Sequence, residues 1–137
     1  MSGVFVDSNI LIYSIDREDH RRIRAQAIMV DGPTISVQCL NEFAAVARRK
    51  LRLSWSSVQA SLDEFRQVCP RIVSVTLNTH QLGITFAERH RLSIYDALIV
   101  AAAFHAGCDI LYSEDMHHGL VIDGRLRIEN PFAQTAR

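Results

Sequence analysis

Four acidic residues interrupt stretches of chain that otherwise read as buried. Asp7 follows Val4, Phe5 and Val6 in "GVFVDSN", and Glu42 sits beside Phe43 in "CLNEFAAVA". Asp96 falls in "SIYDALIVAAA", and Asp115 comes just after "DILYS". An ionised carboxylate taken out of water alone is costly, so a folding code has little reason to put one in such places. Carboxylates crowded together also repel and raise one another's pKa, and a divalent cation removes that strain. Oxygen-only donors suit Mg²⁺ or Mn²⁺, which bind through a few carboxylates and keep waters for a substrate's phosphate. A pair of such ions about 3.5–4 Å apart can activate water and stabilise the leaving oxygen of an in-line displacement.

Each acid also has a plain structural reading. Asp7 can cap the helix that follows it. Asp96 lies in a first helical turn, where the helix dipole favours an acid by roughly 0.3–1 kcal/mol. Glu42 can occupy the polar edge of its helix, and Asp115, with Glu114 beside it, can be a solvated loop acid. Singly, these readings suffice. Jointly they require four separate reasons where one shared cation supplies a single one.

The elements that would position the acids alternate between strand-like and helical runs. "GVFV", "TIS", "RIVSV" and "DILYS" read as short strands, and "GLVIDGRLRIENPF" as two more around the hairpin dipeptide Asp123-Gly124. "SNILIYSI" reads as a short helix with Ser8 or Asn9 near its cap. In "DHRRIRAQAIMVDG", Ile23, Ala27 and Val30 mark one helical face, and Gly32-Pro33 stops it. "VQCLNEFAAVARRKLRL" carries Leu40, Phe43, Ala44 and Ala47 at helical spacing. "SWSSVQASLDEFRQV", capped at Ser54 or Ser56, buries Val58, Leu62 and Phe65. "NTHQLGITFAERHRL" is helical with Gly83 tolerated inside. "SIYDALIVAAAFHAG" runs from a Ser93 cap to Gly107 and is apolar all round, as a central buried helix would be.

Strands alternating with helices predict an α/β fold, with a mostly parallel twisted sheet of about five strands and helices on both faces. In such sheets functional groups gather beyond the carboxyl ends of the strands. Asp7 and Asp115 both lie at such ends, so both project toward one edge.

The 137 residues fit one domain with one core, and the composition is that of an ordinary globular protein. A formal net charge of zero argues against gripping long nucleic acid by bulk electrostatics, though not against a nuclease with a local acidic site. Cys39, Cys69 and Cys108 form no paired motif and read as buried free thiols in a reducing cytosol. No signal peptide is visible, and the longest apolar run, Ala97 to Phe104, is far short of the roughly 20 residues that span a membrane. The expectation is a cytoplasmic protein with no membrane partner.

The motifs resemble the PIN domain, and within it the ribonuclease toxins of VapBC-type toxin–antitoxin pairs. The resemblance runs from "VFVDSNILIY" through "CLNEF" and "SIYDALIVAAA" to "LYSEDMHHG" and covers nearly the whole chain, read as one domain over residues 1–137. It implies divalent-metal-dependent hydrolysis of RNA, with Mg²⁺ as cofactor and Mn²⁺ able to substitute, leaving 5′-phosphate and 3′-hydroxyl ends. It implies further that Asp7, Asp96 and Asp115 hold the metal, while Glu42 holds a second ion or orients the attacking water. Ser113 would hydrogen-bond a phosphate or a ligand carboxylate, and Asn9 would steady the site from behind. A homodimer and a small antitoxin are the implied partners.

Other residues invite weaker readings. His117 and His118 follow the fourth acid but are expected at the surface, and His20, His80, His90 and His105 lack mutual metal-ligand spacing. His105 is expected at the edge of the core. "ARRKLR" and the group Arg17, Arg21, Arg22 and Arg24 are either solvated faces or phosphate contacts, and Trp55 is either core or a partner-facing anchor. A receiver-type phosphoacceptor domain would need a lysine at a late strand end, and the only lysine, Lys50, lies inside a helix. A non-catalytic binding module would lack acids that are all present here. A metal-dependent phosphohydrolase acting on DNA or nucleotides stays as the alternative.

Overall fold

Strands and helices succeed one another along the chain in the computed structural model, which describes residues 3–133. The order is β1 (Val4–Val6), α1 (Ser8–Ile15), α2 (Arg22–Val30), β2 (Ile35–Ser36), α3 (Val37–Arg49) and α4 (Trp55–Val68). It continues with β3 (Ile72–Val73), α5 (Leu77–His90), α6 (Ile94–His105), β4 (Ile110–Tyr112), β5 (Val121–Ile122) and β6 (Leu126–Glu129).

The main sheet has four strands in the order β1-β4-β6-β5, parallel except for β5. The remaining strands, β2 and β3, form a parallel pair of their own, joined to β1 through a bridge between Phe5 and Thr34. The expected sheet of about five strands is therefore four plus a stitched-on pair. Register places Phe5 beside Leu111 and Leu111 beside Ile128. All three are fully buried, so one row of side chains across the sheet anchors the core.

Against that core lies α6, whose Ala97, Ile99, Val100, Ala101, Ala102 and Ala103 are all buried, as its apolar circumference predicts. It packs along α5, where Gly83 permits the approach: a Cβ there would stand 3.0 Å from Leu98 Cδ2. The hairpin turn also forms at the predicted dipeptide, with Asp123 at φ 49° and Gly124 at φ 68°, both left-handed, and the Arg125 N–H donating to the Ile122 carbonyl at 3.0 Å.

Three expectations need correction. Ile23 and Val30 are 82% and 81% exposed, while Ala25, Ile28 and Met29 face inward, so the predicted face of α2 is its outer one. The cap of α1 is Asp7 itself rather than Ser8 or Asn9. His105 is exposed rather than at the edge of the core, the buried run of α6 ending at Ala103.

Candidate active site

Because β1 and β4 are parallel neighbours with Val6 opposite Tyr112, the residues that follow them emerge side by side. The Asp7 N–H donates to the Tyr112 carbonyl at 2.9 Å, and the Ser113 hydroxyl donates to Asp7 Oδ2 at 2.7 Å. Asp7 Oδ1 accepts from the Ser8 N–H at 2.6 Å, which caps α1. Only 2% of Asp7 is exposed. Burial pushes its carboxyl up to about 7, against the lowering effect of the Ser113 and Ser8 hydrogen bonds, and the charges of Asp96 and Glu42 push the same way as burial.

Glu42 reaches the site from α3, half-buried. Its Oε1 accepts from the Ser8 hydroxyl at 2.9 Å and its Oε2 from Gln38 Nε2 at 3.1 Å, one turn earlier on the helix. Ser8 thus bridges the first two acids, a role its place after Asp7 did not reveal. Asp96 stands in the first turn of α6, whose Ser93 cap accepts the Asp96 N–H at 3.2 Å. Its carboxyl is raised, first by burial and then by the charges of Glu42 and Asp115. Asp115 is exposed, and its N–H donates to Ser113 Oγ at 3.2 Å. Glu42 is thus joined to Asp7 through Ser8, Asp7 feels the charges of Asp96 and Glu42, and Asp96 those of Glu42 and Asp115.

Glu114 is drawn elsewhere. It accepts from the Tyr13 hydroxyl and, at 2.6 Å, from Arg21 Nη1. Arg21 in turn grips Asp19 through Nε at 2.8 Å and Nη2 at 2.7 Å. Asn9 is buried, and neither its amide nitrogen nor its amide oxygen finds a partner among the described residues. His117 and His118 are exposed, as expected, with His118 Nδ1 accepting the Asn130 N–H at 2.9 Å. Trp55 is exposed too, with the Arg48 guanidinium 4.5 Å from its ring centroid.

Family comparison decides what this arrangement belongs to. A family model described as the PIN domain matches residues 4–119. The chain belongs to the PIN domain family. This PIN domain is similar to the solved structure of the Sarcin-Ricin loop cleaving toxin VapC20 of Mycobacterium tuberculosis, with a TM-score of 0.68 and 22% identity over 82% of this chain and 89% of that one. It is similar as well to a toxin–antitoxin complex from Klebsiella pneumoniae (TM-score 0.70, 18% identity, 96% and 98% of the two chains). A third likeness is to DNA-bound VapBC from Salmonella typhimurium (0.68, 19%, 96% and 99%). These likenesses concern the fold. Curated protein sequences contain no match.

None of the ion pairs among the described residues includes Asp7, Glu42, Asp96 or Asp115. A buried, cation-free carboxylate with two acids pressing on it fits a hard cation in its chemistry. Among the described residues no group of three or more His, Cys, Asp or Glu is gathered so as to hold a metal ion.

Proposed function

We propose that this PIN domain is a Mg²⁺-dependent endoribonuclease, with Mn²⁺ able to substitute, and that it acts as the toxin of a toxin–antitoxin pair in the cytoplasm. The observation that carries the reading is Asp7: buried at the carboxyl end of β1, raised to about 7, and without a cationic partner among the described residues. A divalent cation bound there would supply charge neutralisation and a water of lowered pKa.

Asp7, Asp96 and Asp115 are the residues to hold that cation, with Glu42 holding a second ion or orienting the attacking water. Ser113 aims Asp7 by donating to it and favours its charged form against burial, and Ser8 donates its N–H to Asp7 and its hydroxyl to Glu42. Asn9, with neither polar end of its amide partnered among the described residues, is available to an ordered water. Asp115 is exposed and meets the substrate side of the site.

RNA as substrate and a protein antitoxin as partner are supported by the solved relatives, one described as cleaving the Sarcin-Ricin loop and others as toxin–antitoxin complexes. An uncovered apolar stripe of Ile23, Ala27 and Val30 on α2 supports a protein partner independently, whether antitoxin or the second copy of a homodimer.

End-group analysis tests the reading. Labelled pools of RNA and single-stranded DNA are incubated with purified protein and Mn²⁺. Cleavage confined to RNA, with 5′-phosphate and 3′-hydroxyl ends, is expected of attack by water. Cyclic 2′,3′-phosphate ends would overturn the mechanism, and cleavage of DNA alone would overturn the substrate.

A further inference from the structure

We propose that Arg21 and Tyr13 are positioning residues for the nuclease site: by holding Glu114 they fix the loop that carries Ser113 and Asp115. The inference rests on the metal-dependent reading above and adds two residues to it.

Glu114 lies between two residues of the site. Ser113 is tied to Asp7 at the start of α1, whereas Glu114 accepts from the Tyr13 hydroxyl near the end of α1 and from Arg21 Nη1 at the start of α2. Neighbouring residues are thus anchored at separate points, and the loop is held twice. Asp115 depends on this. Among the described residues its carboxylate has no hydrogen-bond partner, and the only bond it makes is from its N–H to Ser113 Oγ.

The clamp is itself constrained. Asp19 takes the Arg21 guanidinium by two parallel bonds, 2.8 Å from Nε and 2.7 Å from Nη2, the fork geometry that gives such pairs their direction. The same guanidinium lies 3.8 Å from the Tyr13 ring centroid, and the Tyr13 ring meets Phe132 edge-on at 5.4 Å. Side-chain exposures of 25% for Arg21, 24% for Glu114 and 11% for Asp19 keep the network partly out of water. Such a network is more rigid and less screened than an exposed pair.

Its placement connects the site at two levels. Tyr13 stands near the end of α1, the helix that Asp7 caps at its start, so α1 is fixed at one end by the central acid and near the other by the clamp. Tyr13, Asp19 and Arg21 also line a cavity with Ser8, Asn9 and Asp115. The clamp is therefore a wall of the space that Asp115 lines. It also keeps a fifth carboxylate, Glu114, from competing with Asp115.

A phosphate-contacting arginine would behave differently, and the test separates the two. Mn²⁺ affinity is measured by calorimetry for the wild type, Arg21→Ala, Arg21→Lys and Tyr13→Phe, with RNA cleavage kinetics and metal-free melting alongside. Arg21→Ala should weaken Mn²⁺ binding by about tenfold or more and Tyr13→Phe by a few fold, with Arg21→Lys partly restoring it. A folded Arg21→Ala with unchanged Mn²⁺ affinity and only a raised, salt-sensitive KM for RNA would overturn the proposal in favour of a phosphate contact. Should Arg21→Ala fail to fold, unchanged affinity in Tyr13→Phe, which loses a single hydroxyl, overturns it equally. Wild-type protein that binds Mn²⁺ but cuts no RNA would sink the nuclease reading alone. Wild-type protein that binds no Mn²⁺ would sink both.

Discussion

Ser113 donates a 2.7 Å hydrogen bond to Asp7 across 106 positions of sequence, and so ties the carboxyl ends of β1 and β4 together at the acidic edge. The same oxygen accepts the Asp115 N–H at 3.2 Å, which makes one buried hydroxyl the link between two of the four acids. Removing it leaves a buried carboxylate short of a donor, a loss of roughly 1–3 kcal/mol. Ser113→Ala should therefore destabilise the metal-free protein by that amount at pH 8. At pH 5, where Asp7 is protonated in the folded state, the loss should be smaller. Denaturant melts at the two pH values check this.

Asp7 sets a wider pH dependence. Its carboxyl moves from 3.8 to about 7 on folding, so the folded protein holds this proton more tightly than the unfolded chain. Its favourable contribution is fully present below about pH 4 and is lost as pH rises through 7. At about 1.4 kcal/mol per unit, the ceiling on that loss is on the order of 4 kcal/mol. Asp7→Asn removes the titration while keeping a good cap on α1. Without metal, the variant should be more stable than wild type at pH 8, and the gap should shrink toward pH 5. An equal gap at both values would mean that Asp7 is not the titrating group.

Divalent ions should reverse that order. An ion present at a hundred times its dissociation constant adds about 2.7 kcal/mol to the state that binds it. Mn²⁺ or Mg²⁺ should raise the wild-type melting temperature by several degrees, and the shift in Asp7→Asn should be much smaller. A wild-type melting curve indifferent to both ions would count against a shared metal site while leaving the fold untouched.

The outer face of α2 offers a control of the opposite kind. With Ile23 and Val30 both more than four-fifths exposed, the double substitution Ile23→Glu, Val30→Lys should change stability by no more than about 0.5 kcal/mol. It should also leave RNA cleavage unchanged and weaken self-association or antitoxin binding, measured by sedimentation and by affinity. A large loss of stability would show that this stripe packs inward in solution.

That helix also shows where sequence stops being legible. Two apolar stripes run along α2, Ile23-Ala27-Val30 and Ala25-Ile28-Met29, and helical periodicity fits both. Only packing against α1 chooses between them, and no local pattern records that contact. The acids were legible because each breaks an apolar run, and the strand ends because β1 and β4 are short and sharply bounded. Asp7 showed a different limit: capping α1 and serving the site looked like competing explanations, yet the carboxylate that caps α1 also accepts the Ser113 hydroxyl, so the two are compatible. The clamp was invisible for a third reason. Arg21 lies 93 positions from Glu114 and Tyr13 lies 101, so three ordinary surface-type residues acquire meaning only once the chain has closed. The break of the sheet into four strands and a pair has the same origin, since β2 and β3 are two residues long and carry no signal of whom they join.

The central claim is that four carboxylates at one sheet edge make a metal-dependent ribonuclease. Its most direct test is cleavage of a mixed RNA pool by purified, antitoxin-free protein in Mn²⁺, in Mg²⁺ and in EDTA, with Asp7→Asn alongside at equal folded concentration. The account predicts cutting in both metals, none in EDTA, and a loss of at least a hundredfold, roughly 3 kcal/mol of barrier, in the variant. Cutting that persists in EDTA, or that Asp7→Asn retains in full, would contradict it.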